Sequence, residues 1–168
     1  KVLISFGATE TKLVILMLNF IEFYNRSLNN FNFRFVIGKY CSQEFKKKIT
    51  NKLKKYSNVK TYSTISDNYF NYKWCNQVIT SDGTSKYECI ASEKKALIFS
   101  SSLSNENLSK KFNSLNIFTV IYFEETFENK ILKVNKFLNL NKLKPTKKLI
   151  SYKKKMSTFQ KRYSELFK

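Results

Sequence analysis

Short apolar runs alternate with stretches of helical period along most of this chain, and that alternation restricts its fold more than any other feature. The runs predicted as strands are Val2 to Phe6, Phe33 to Gly38, Val59 to Tyr62, Gln77 to Thr80, Ala96 to Ser100 and Ile117 to Tyr122. Helices are expected between them, at about Lys12 to Tyr24, Ser42 to Tyr56, Ser66 to Trp74, Ser85 to Ser92 and Asn105 to Ser114. Strands joined through helices run parallel, and a parallel sheet needs helices on both faces. The expected fold is a Rossmann-like three-layer α/β sandwich around a six-stranded, mainly parallel sheet.

After the sixth strand the alternation stops. Glu124 to Leu140 and Thr146 to Phe167 read as two consecutive helices broken at Pro145, with no strand to follow. The chain therefore divides into a Rossmann-like unit over residues 1–122 and C-terminal helices over 123–168. The last helix carries an apolar face that includes Leu149, Tyr152, Met156 and Phe159 among lysines, so it packs either on its own sheet or on a neighbouring domain. The chain opens directly on a strand without Met, which reads as a piece of something longer with its N-terminal domain missing.

Composition narrows the functional classes. The net charge is +19, almost all from Lys, with only Arg26, Arg34 and Arg162 able to offer bidentate forks. Lys is enriched together with Asn, Ile, Phe and Tyr, as AT-rich coding would produce, so most of the charge reads as solvated surface and nucleic acid is disfavoured as a partner. A positive field still suits a phosphorylated ligand or an anionic membrane surface. Histidine is absent, which removes the commonest general base and metal ligand, so no catalytic residue, metal site or cofactor is assigned. Cys41, Cys75 and Cys89 lack CxxC spacing and are expected to be reduced core thiols. No apolar run approaches the roughly 20 residues that cross a bilayer, and the expected setting is cytoplasmic.

In an open parallel sheet, ligands bind outside the carboxyl ends of the strands. Two loops there combine glycine, hydroxyls and a helix start: Gly7-Ala8-Thr9-Glu10-Thr11 after the first strand, and Ser81-Asp82-Gly83-Thr84-Ser85 after the fourth. Plain helix capping by Thr or Ser is the stronger account of either loop taken alone.

Taken together, the loops resemble a family. Lys1 to Glu10 is similar to the strand and "SFGG(S/T)D" loop opening the C-terminal domain of the nucleotide-sugar hydrolases of the pseudaminic acid pathway, and Ser81 to Glu88 is similar to their "SGG(S/T)(S/T)xYE" segment. Ile65-Ser66-Asp67-Asn68 with Trp74-Cys75-Asn76 resembles the stretch before that segment, and Asn105-Glu106 falls where the family has an "NQ" pair. The same half-domain resembles the nucleotide-binding half of the lipid-linked N-acetylglucosaminyltransferase of peptidoglycan synthesis, and both have the GT-B architecture. The likeness covers most of residues 1–122.

The resemblance implies a UDP-sugar ligand. Gly7 and Thr9 would face the diphosphate and sugar, and the backbone at Ile65 the uracil edge. Gly83, Thr84 and Ser85 would cradle the phosphates, Glu88 would accept from the ribose hydroxyls, and Asn105 would help hold the sugar or phosphate end. The chain would then be the nucleotide-binding C-terminal half of a UDP-sugar hydrolase or glycosyltransferase of glycan synthesis, inactive alone. Three positions depart from the pattern: Ala8 and Asp82 stand at family glycines and Glu106 at the Gln. An acid at 82 would oppose phosphate unless Lys86 or another cation intervened. A basic module for nucleic acid or anionic lipid, and a degenerate interaction domain that no longer binds nucleotide, remain as alternatives.

Overall fold

The computed structural model describes residues 1–7, 12–63, 69–114, 117–140 and 147–165. Six strands form one sheet: β1 (Val2–Ser5), β2 (Phe33–Val36), β3 (Val59–Tyr62), β4 (Gln77–Ser81), β5 (Lys95–Phe99) and β6 (Thr119–Ile121). Every pairing is parallel, in the order β3-β2-β1-β4-β5-β6. The chain begins at the centre, winds outward to β3, returns across β1 to β4 and winds outward again. The reversal falls between β1 and β4, whose register is Val2 to Gln77 through Ser5 to Thr80.

The helices are α1 (Lys12–Tyr24), α2 (Gln43–Leu53), α3 (Tyr69–Trp74), α4 (Ser85–Ala91), α5 (Leu103–Ser114), α6 (Phe127–Leu138) and α7 (Lys147–Glu165). A 3-10 turn, Asn25–Leu28, follows α1. Ser42 accepts from the Phe45 N–H to cap α2 at 3.2 Å, and Thr126 accepts from the Asn129 N–H to cap α6 at 3.3 Å. Each of these helices also has an acid in its first turn and a lysine in its last, complementing the helix dipole.

Two buried clusters make this a three-layer α/β sandwich of Rossmann-like type. Ile4, Phe35, Ile79, Leu97, Phe99 and Ile121 point to one face, where α1, α2 and α6 cover them through residues such as Phe20, Leu53 and Val134. Leu3, Val78, Ala96, Ile98 and Val120 point to the other, against Tyr72 of α3, Cys89 and Ile90 of α4, Phe112 of α5 and Leu149 of α7. Burial on both faces is why the strands read as continuous apolar runs. Both C-terminal helices join these layers: α6 closes over the first face, and α7 packs beside α4 and α5, with Tyr152 edge-on to Phe112 at 5.6 Å and Lys153 paired to Glu93 at 2.8 Å.

Boundaries shift where side chains take other partners. Ile117 and Phe118 are buried, yet the Ile117 N–H donates to the Phe112 carbonyl at 3.0 Å, closing the end of α5 before β6 begins at Thr119. The start expected for the third helix, at Ser66, lies outside the described residues, as does Pro145. All three cysteines are buried and none is in a disulfide. Among the described residues no helix is long and apolar enough to cross a membrane.

Candidate functional site

A cavity of about 430 Å³ opens at the carboxyl edge of the sheet, beside the β1–β4 reversal. Its apolar wall is built by Phe6, which follows β1, Phe99 at the end of β5, and Leu13 and Leu16 of α1. The two Phe rings meet edge-on with centroids 5.7 Å apart. Its polar rim comes from Ser81, Ser100, Ser101, Lys12 and Lys130. Lys130 reaches back along α6 to donate to the Phe123 carbonyl at 2.9 Å. No carboxylate is among the described residues lining the cavity. Its volume falls in the range of small-ligand sites, and two ammonium groups over an apolar wall suit an anion attached to a flatter, less polar group.

Gly7 sits at the mouth of this edge with φ +92°, a left-handed conformation that favours glycine. Gly83 has no such backbone requirement, and a Cβ built there would meet nothing within 4 Å. The glycine at 83 thus answers no steric demand within the described protein itself.

Asp82 does not have the place expected for it. Its side chain is buried and turned into the fold, accepting from Ser100 Oγ at 3.1 Å, the Ser101 N–H at 3.2 Å and Ser101 Oγ at 2.6 Å. It ties the loop after β4 to the loop after β5, so the anticipated conflict with phosphate is replaced by an internal brace. Lys86 is also buried; its ammonium donates to the Asp82 carbonyl at 2.6 Å. Burial lowers the Lys86 pKa, and the nearby Asp82 charge partly opposes that shift.

Gly83, Thr84, Ser85 and Glu88 are not among the residues lining the cavity. They lead into α4, whose Cys89 and Ile90 pack on the opposite sheet face. Gly83 and Thr84 are exposed, Ser85 is half-buried, and the Thr84 hydroxyl makes no capping bond. Glu88 accepts from the Tyr72 hydroxyl of α3 at 2.8 Å, so one carboxylate oxygen already has a partner. Burial, reinforced by Cys89 and Glu88, pushes the Tyr72 pKa far upward. Asn105 lies in the first turns of α5, but its side chain is outside the described set; Thr9 and Ile65 lie outside the described residues altogether. The neighbouring Glu106 is buried, with Oε1 paired to Lys110 at 2.8 Å.

No sequence motif singles out Ser100, Ser101, Lys12 or Lys130. The run Ser100-Ser101-Ser102 directly after an apolar strand was the available signal, since the carboxyl edge collects whatever follows each strand. Lys130 had none, because nothing local says that α6 returns to that edge. Compared with protein-family models and with curated proteins, the chain matches none. The fold and cavity define a doubly wound α/β protein with a cationic, hydroxyl-rimmed crevice at its reversal point.

Proposed function

We propose that this protein binds a UDP-linked sugar in the crevice at the β1–β4 reversal, as do the hydrolases and glycosyltransferases of glycan synthesis that its loops resemble. The observation that carries the reading is the cavity itself: about 430 Å³, at the carboxyl edge, with Lys12 and Lys130 beside Ser81, Ser100 and Ser101. The Lys12 and Lys130 ammonium groups would offset the diphosphate charge, while the Phe6 and Phe99 wall offers apolar surface to the rest of the ligand. In keeping with a glycine at this point of the loop, Gly7 has φ +92°, a conformation other residues rarely adopt. The position of Glu88 on the far face is reconciled with a ribose contact only if the ligand extends across the sheet edge toward α4.

Isothermal titration with UDP and UDP-N-acetylhexosamine tests this. Saturable binding is expected, weakened about tenfold by Lys12→Ala or Lys130→Ala, the loss appropriate to one charge-assisted contact. Uridine without phosphates should bind far more weakly than UDP. Absence of binding by both nucleotides would refute the proposal.

A second reading, an interaction domain without nucleotide binding, has its own observation. Between α1 and α6 lies an apolar groove of about 510 Å³, bordered by Phe23, Phe127 and Leu132, which are 83%, 51% and 64% exposed. The same titration decides between the two.

A further inference from the structure

A second cationic pocket lies away from the crevice, on the face of the sheet covered by α3. Arg34 of β2 and Lys60 of β3 are in register on adjacent strands, and both point to that face, since Phe33, Phe35 and Val59 belong to the cluster on the other. The Arg34 guanidinium lies 4.2 Å from the Trp74 ring centroid and 5.4 Å from that of Tyr62. Its Nη1 donates to the buried Asn71 side chain at 3.1 Å, which fixes the plane of the fork. Lys1 brings a third cation, 5.8 Å from the Trp74 centroid. Lys1, Arg34, Lys60, Tyr62 and Trp74 border a pocket of about 190 Å³.

Among the described residues, no carboxylate compensates the charge of this cluster. Like charges opposite one another on neighbouring strands are destabilising, and among the described residues none of Lys1, Arg34 and Lys60 has an ion pair with a carboxylate. The aromatic rings hold Arg34 in place, but they do not neutralise it. The high net charge of the whole protein explains many scattered lysines, but not an arginine packed against two aromatic rings. Arg34 borders the pocket of about 190 Å³, room enough for a phosphate group.

We propose that Arg34, Lys60 and Lys1 form a phosphate-binding site, separate from the crevice, for a phosphate monoester group. A planar fork oriented by Asn71 gives bidentate recognition of two phosphate oxygens, and Lys60 supplies the second charge. The site does not depend on what occupies the crevice.

Trp74 is the sole tryptophan, so its emission reports on this pocket directly. The test is a fluorescence titration of the full chain with inorganic phosphate against sodium chloride at matched ionic strength, and with phosphatidylcholine vesicles with or without phosphatidic acid. A saturable response to phosphate beyond that to chloride is expected. A response to the free anion alone supports a soluble phosphorylated ligand, and one shared with phosphatidic acid vesicles supports a lipid headgroup. Arg34→Gln and Lys60→Ala should each weaken the response about tenfold; Lys60 is exposed, so that variant tests the site even if the first fails to fold. Lys47→Ala, on the exposed side of α2, should leave it unchanged. No saturable response, or equal weakening by Lys47→Ala, would overturn the assignment.

Discussion

A carboxylate placed beside a phosphate costs energy in proportion to how little water separates them, and Asp82 avoids that cost by facing inward. From sequence, position 82 reads as a glycine lost from a phosphate loop. In the fold, its three hydrogen bonds to Ser100 and Ser101 make it a brace between two loops of the sheet edge. Asp82→Gly should therefore restore nothing: it should lower stability by about 1–3 kcal/mol by removing the acceptor of the buried Ser100 hydroxyl and the tie to Ser101, read as a lower urea midpoint. Cys75 shows the opposite limit of legibility, since three scattered cysteines were readable as core thiols but their ionisation was not. Burial pushes the Cys75 thiol up to about 11 from 9.0. A folded-state pKa above the unfolded one gives stability that is whole below pH 9 and is lost as pH rises from about 9 to 11. Urea unfolding at pH 8 and pH 11 should show Cys75→Ala losing about 2–3 kcal/mol less than the parent over that interval.

Elements whose both faces are buried were readable because their sequences are apolar throughout, and Val78, Ile79, Leu97 and Ile98 leave no alternative to a central strand. Ends were less readable, because they depend on partners distant in sequence. Ile117 looks like strand but spends its N–H on α5. The end of α4 is similar. Glu93 takes φ 55°, with its N–H donating to Ile90 at 3.1 Å and the Lys94 N–H donating to Cys89 at 2.9 Å, the pattern of a helix stop in which glycine is preferred. No glycine announced it. Glu93→Gly should raise stability by about 0.5–1 kcal/mol, because relief of the left-handed backbone outweighs the half-exposed pair with Lys153. Conversely, Ser42→Ala should cost about 1 kcal/mol by uncapping α2; thermal or urea unfolding measures both.

At the scale of the molecule, the sequence could place loops on the carboxyl edge but not decide which face each would serve. The order β3-β2-β1-β4-β5-β6 sets the cavity beside β1 and β4, while the crossover after β4 carries Gly83 to Glu88 toward the opposite layer. Lys130 reaches the cavity only because α6, beyond the last strand, folds back over the first face. Chain topology, rather than any motif, assembles the crevice. Its occupancy is read most directly by backbone amide shifts in a two-dimensional NMR titration with UDP. Saturable shifts concentrated at Phe6, Ser81, Ser100 and Ser101 are expected if UDP occupies the crevice; shifts absent there, or spread evenly over the lysine-rich surface, would contradict that occupancy.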